Sequence, residues 1–298
     1  MTKRQKITIG AILGAPVVLG IILMTFNVLL PSSGMSMLSQ KKIGLIKVTD
    51  VIYSSEDYVR QLREMREDNS IAGVLLRIDS PGGAVAPSQE IFSEVMKYRD
   101  YNKPLVVSMG NLAASGGYYI ASPALRIFAN PGTVTGSIGV IMSFPKYYKL
   151  LNKLGVDMEV IKSGAFKDIG SSNREMKPEE RKFLQAMLDD IHLQFIEDVS
   201  KARSMDIDSL IPIADGRIFT GRQALKVGLV DTLGGYEDAL AYIKAYTGVA
   251  SNSDVIEEKA KKSFLKQLLT EELFDKFPLL QKATSPAGSY YLCDISVK

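Results

Sequence analysis

The chain has 298 residues, 46% hydrophobic and 23% charged, a globular composition that argues against a disordered or fibrous protein. One cysteine, Cys293, excludes an internal disulfide and a multi-Cys metal cage, and one histidine, His192, excludes a multi-His metal site. The net charge of +3 is carried by Lys3, Arg4 and Lys6; the remaining charges balance, so the composition gives no basic footprint for nucleic acid.

Residues 7–30 carry no charge and are mostly apolar. As a helix they would span about 36 Å at ~1.5 Å per residue, enough to cross a bilayer core of ~30 Å with some tilt. The three cations abut the start of this segment, and the next, Lys41 and Lys42, follow only after residue 40. The positive-inside bias therefore predicts a single-pass anchor in the cytoplasmic membrane, with residues 1–6 in the cytoplasm and the rest of the chain outside it. A cleaved signal peptide is the rival reading, but its apolar region is normally about 7–15 residues. Residues 31–42 read as a polar linker.

Beyond the linker, apolar runs alternate with helical patterns. Strands are expected at residues 43–48, 73–78, 105–109, 140–143 and 158–162. Helices are expected at 56–67, 86–98, 115–121 and 177–203. A charged helix with an apolar stripe (Phe264, Leu265, Leu268, Leu269, Leu273) is expected across 254–274. This alternation predicts an α/β fold with crossover connections. A domain at 43–247 is expected, followed by a C-terminal helix and tail at 248–298.

Two turns invite chemistry. The strand ending at Ile78 runs into Asp79-Ser80-Pro81-Gly82-Gly83, where bare backbone amides could serve as an oxyanion hole. The strand ending at Met109 runs into Gly110-Asn-Leu-Ala-Ala-Ser115-Gly-Gly-Tyr118, one serine among small residues at a helix start. A nucleophile needs that openness and those amides. If the two strands are neighbours, both turns open at the carboxyl edge of one sheet, where α/β sites lie.

The base for Ser115 has two candidates. His192 flanks the apolar face of the helix at 177–203 and reads as a boundary residue. Lys167 sits between Gly164 and Gly170, just after an expected strand. A solvated lysine is neutral in about one molecule in 2,500 at pH 7, so a lysine base requires a depressed pKa. Two S-x-x-K matches, Ser143 to Lys146 and Ser263 to Lys266, imitate penicillin-recognising enzymes, but their companion motifs fall in the wrong order or spacing.

Five segments in order carry a resemblance. They are Arg77-Ile-Asp-Ser-Pro-Gly-Gly83, Met109-Gly-Asn-Leu-Ala-Ala-Ser-Gly-Gly-Tyr-Tyr119, Thr135-Gly-Ser-Ile-Gly-Val140, Lys162-Ser-Gly-Ala-Phe-Lys-Asp168 and Arg217-Ile-Phe-Thr-Gly-Arg-Gln-Ala-Leu-Lys-Val-Gly-Leu-Val-Asp231. From about Ile43 to Tyr246 the chain resembles the signal peptide peptidase A serine proteases, peptidase family S49, in their short single-repeat form. The resemblance implies a ClpP/crotonase-like fold of repeated ββα units. It implies Ser115 as nucleophile and Lys167 as general base of a Ser-Lys dyad. Ser137 would hydrogen-bond the lysine, and Gly83 and Gly116, with Gly82 supporting, would supply the oxyanion hole. No cofactor or metal is implied. The partners implied are peptide substrates (signal peptide remnants), the membrane, and further copies in a ring or dome whose neighbours share the dyad. A crotonase-like acyl-CoA enzyme and a catalytically silent membrane scaffold are the alternatives.

Overall fold

The computed structural model describes residues 41–257 and 290–292. The apolar segment 7–30 and residues 258–274 of the expected C-terminal helix lie outside them. Among the described residues no helix is long and apolar enough to cross a membrane.

The core is a sheet in which, among the described residues, eight strands join. Strands β1 (Lys42–Thr49), β2 (Ile71–Ser80) and β4 (Leu105–Ala114) are parallel neighbours in the order β1-β2-β4. The long β4 divides its partners. Residues 106–108 pair with β5 (Arg126–Ala129), and residues 112–114 pair with β6 (Val134–Gly136). Strand β7 (Ile218–Thr220) closes antiparallel on β6, β8 (Thr232–Leu233) adds to β5, and β9 (Val255–Glu257) adds to β1. Strand β3 (Gly82–Ala84) pairs antiparallel with β10 (Tyr290–Leu292).

The central strands read as unbroken apolar runs because helices cover both faces. The two-residue strand period then splits each run. Leu75 and Val106 point to the face closed by Ala239 and Ile243 of the helix Tyr236–Thr247. Val74, Leu76 and Val107 point to the other. There they meet helix α1 (Glu56–Glu67), through Leu62, and helix α2 (Val85–Asp100), through Ile91 and Val95. Helix α3 (Gly116–Ala121) starts directly after β4. Helix α4 (Tyr148–Lys153) is short and has no buried residue. Helix α5 (Pro178–Arg203) is the longest, with Phe195, Ile196 and Val199 in the core.

Three expectations fail. Residues 140–143 and 158–162 form no strand. Strand composition is not sufficient without a partner ladder to satisfy the backbone, and the second segment is exposed, Ile161 to 94%. Residues 255–257, expected as the start of a helix, form β9 instead, because Val255 and Ile256 fill the edge beside β1.

Candidate active site

The motif at the end of β2 stitches that strand to β4. The Arg77 guanidinium donates to Ser108 Oγ at 2.8 Å and to the Met109 carbonyl at 2.9 Å, and the Asp79 carboxylate accepts the Leu112 N–H at 3.0 Å. The register shifts here, so that Ser80 faces Ala113. The Ser80 hydroxyl donates to the Asp50 carbonyl at 2.5 Å and accepts the Gly82 N–H at 3.1 Å. Gly82 has φ +102°, a conformation that side chains resist.

Strand β3 is then held on one side by Ile52. The Ile52 N–H donates to the Gly82 carbonyl at 2.8 Å, and the Ala84 N–H donates to the Ile52 carbonyl at 2.7 Å. Backbone groups alternate sides along a strand, so the N–H and C=O of Gly83 face away from Ile52. That is the edge where β10 lies, with Tyr291 opposite Gly83. A Cβ on Gly83 would strike the Ile52 carbonyl, which requires glycine here.

At the end of β4, Ser115 adopts φ 54°, ψ −120°. Such a conformation costs a non-glycine residue about 1–3 kcal/mol and recurs at functional turns. Its N–H donates to the Gly136 carbonyl at 2.8 Å, continuing the pairing of Ala114 with Gly136. Ser137 follows, also at positive φ, with its N–H donating to the Arg217 carbonyl at 2.8 Å. Ser115 is 0% exposed and its Oγ has no hydrogen-bond partner among the described residues. A buried hydroxyl is normally bonded, so an orphan asks for an explanation. The two turns meet at Gly116. A Cβ there would lie 2.7 Å from Ser88 Oγ and 3.1 Å from the Gly83 nitrogen. The Gly83 nitrogen thus stands beside the start of α3, next to the residue that follows the serine.

Within one chain, the structure brings Gly82, Gly83, Ser115, Gly116 and Ser137 to one sheet edge. Lys167 is different. It is exposed on the irregular stretch between α4 and α5, and makes no hydrogen bond to Ser115. His192 does not approach the serine by hydrogen bonding either: its Nε2 bonds the carbonyls of Ala214 at 2.6 Å and Ile138 at 3.2 Å.

Residues 97–250, just over half of the chain, match peptidase family S49. A protein of Synechocystis sp. provisionally named a protease is 45% identical over 212 residues, covering 71% of this chain and 76% of the relative. The chain belongs to peptidase family S49. It is a protease of the SppA type. An Enterococcus faecium protein provisionally named signal peptide peptidase SppA is 41% identical over 219 residues, 69% of this chain and 64% of the relative. Protease 4 of Salmonella typhi is 38% identical over 181 residues, 61% of this chain but 29% of the relative. The chain therefore spans less than two thirds of the length of these last two relatives.

Sequence reasoning missed the hydroxyl of Ser80, the bracing of β3 by Ile52, and an ion cluster of Lys162, Asp168, Arg174 and Glu180 next to Lys167. A signal for the last was present. Pro178 at the helix start with Glu180 at the third helical position is a helix-start pattern, and it marks Glu180 as more than surface charge.

Proposed function

We propose that the protein is a membrane-anchored serine endopeptidase with a Ser115–Lys167 dyad on a ClpP/crotonase-type fold. It would degrade remnant signal peptides and related peptides at the outer face of the cytoplasmic membrane, held there by residues 7–30. The observation that carries this reading is the buried Ser115 Oγ, unpartnered, at a strained strand-to-helix turn where Gly116 packs beside the Gly83 nitrogen.

The chemistry follows from those groups. Neutral Lys167 takes the Ser115 proton as Oγ attacks the peptide carbonyl. The amides of Gly83 and Gly116 receive the oxyanion, an interaction whose loss typically costs 10²–10³ in kcat. The lysine then protonates the leaving amine, the C–N bond breaks, and water hydrolyses the acyl-enzyme with the lysine again as base. Ser137, next to the Gly136 carbonyl that holds Ser115, would orient the amine. The pairing of β10 with β3 supports a substrate bound as an added antiparallel strand, read by main-chain bonds along Gly82–Ala84.

The absence of a Ser115–Lys167 bond within the chain favours a dyad shared between copies. Helix α4 and the stretch that follows it to Lys167 also expose Tyr147, Leu150, Leu154, Met158 and Ile161, apolar groups that a neighbouring copy would cover. Mixing Ser115→Ala with Lys167→Ala protomers tests this reading. Each is inactive alone, and the mixed assembly should regain activity because some interfaces pair an intact serine with an intact lysine. No recovery in mixed oligomers would place each dyad within a single chain.

A further inference from the structure

Lys167 is flanked by two anchored residues. On one side, the Phe166 ring packs on Phe183 of α5, with centroids 5.4 Å apart. On the other, the Asp168 carboxylate accepts Arg174 Nε at 2.8 Å and is paired with the Lys162 amine. Arg174 Nη2 also reaches the Asp168 carbonyl at 3.3 Å. The other side of the guanidinium grips Glu180, with Nη1 on Oε2 at 2.8 Å and Nη2 on Oε1 at 2.5 Å. Such a two-bond fork fixes direction as well as distance. Glu180 is 1% exposed and also accepts the Lys177 N–H at 2.9 Å, capping the start of α5. A continuous chain of bonds therefore runs from the residue beside Lys167 to a helix rooted in the core by Phe195, Ile196 and Val199.

The charges in this chain alternate: Lys162, Asp168, Arg174, Glu180. They sum to zero. The hydrogen bonds from Arg174 first, then from Lys162, hold the Asp168 carboxyl below its ordinary range. Those from Arg174, then from the Lys177 amide, bring Glu180 to about 2. Both carboxylates are thus ionised and engaged at any pH where a peptidase works. The remaining charges on the loop end and first turn of α5, Glu175, Lys177, Glu179 and Arg181, are exposed.

We propose that Arg174, through Asp168 and Glu180, is a positioning residue for Lys167. It fixes the loop that presents the amine, and it neutralises the one carboxylate adjacent in sequence to it. The proposal rests on Lys167 being the base. An unneutralised Asp168 would stabilise the ammonium form, the inactive one, so the cluster keeps the base usable as well as aimed.

The test is the pH dependence of kcat/KM for the full-length protein in its membrane or detergent form. Three variants are compared on one peptide substrate, with folding checked by circular dichroism. Arg174→Gln leaves the cluster with a net charge of −1, and the acidic limb should move to higher pH by about half a unit. Asp168→Asn leaves it at +1, and the limb should move the opposite way. Arg174→Lys keeps the charge without the fork, so the limb should stay while kcat falls. In all three kcat should drop about tenfold or more, because a base displaced by about 1 Å can cost 10²-fold. Rate losses without limb shifts of opposite sign would reduce the cluster to a loop staple and overturn the proposal. If Arg174→Gln does not fold, the direction of the Asp168→Asn shift against an unmoved Arg174→Lys decides. Lys167→Ala, measured alongside, separates the two readings: an active Lys167→Ala enzyme removes the dyad itself, whereas an inactive one with unmoved limbs removes only the role of Arg174.

Discussion

The Ser115 N–H donates to the Gly136 carbonyl at 2.8 Å, and this bond sets the serine at the last rung of the β4–β6 ladder. At this end of the ladder the backbone turns out of the extended conformation, with Ser115 at φ 54°, Gly136 at φ 79° and Ser137 at φ 52°. The two serines of the proposed site are therefore neighbours because a sheet ends there, and the ladder supports the strain at both.

A methyl group at Gly116 would intrude between Ser88 Oγ and the Gly83 amide. Gly116→Ala should therefore lower kcat by about 10² or more with KM changed only a few-fold, since the amides matter most where charge develops. Steady-state kinetics on a peptide substrate check this. A change in kcat under threefold would mean that this space does not hold the oxyanion.

Replacing His192 should cost stability rather than chemistry. Its ring spans the carbonyls of Ala214 and Ile138, and loss of such bonds is worth roughly 1 kcal/mol. His192→Ala should lower the urea midpoint and keep kcat/KM within a few-fold, whereas Lys167→Ala and Lys167→Arg should both lose several orders of magnitude. Guanidinium does not deprotonate in the working range, so arginine cannot replace a lysine base. An inactive His192→Ala with an active Lys167→Ala would reverse the assignment.

Strand β10 occupies the edge of β3 that carries the Gly83 amide. A peptide binding by strand addition competes for that edge. Truncation after Phe277 should raise turnover of short peptides several-fold. Equal rates for truncated and full-length protein would show that the tail does not compete.

Acid should loosen the start of α5. Glu180 has a folded pKa of about 2, below its ordinary 4.5, and Asp168 is likewise depressed. Their stabilisation is complete above the unfolded values and is lost as pH falls through the folded ones, because the unfolded chain binds the protons first. Urea midpoints should fall more steeply between pH 5 and pH 2 for the wild type than for Glu180→Gln. Parallel curves would contradict the role of this pair.

Much of the fold was legible in the sequence because the central strands are buried on both faces and the helices carry apolar stripes. The helix at Glu56–Glu67 and the end of the long helix at Arg203 fall where the pattern puts them. The short strands β3, β5, β6 and β7 were not legible. Each has three or four residues, too few for a periodicity, and each exists only because a neighbouring strand offers an edge. Residues 158–162 erred the other way, with strand composition but no edge to join. At the site, glycines and serines in small-residue turns pointed to Gly83, Ser115 and Gly116. The clamp beside Lys167 was hidden, since ordinary surface charges become a cluster only once the loop folds back on α5.

The central claim is that Ser115 is a nucleophile activated by Lys167. The most direct measurement is labelling of the full-length protein with a fluorophosphonate probe, followed by mass spectrometry of the modified peptide. The account predicts one adduct, on Ser115, lost in Ser115→Ala and formed far more slowly in Lys167→Ala. An adduct on another serine, or a labelling rate unchanged by Lys167→Ala, would contradict it.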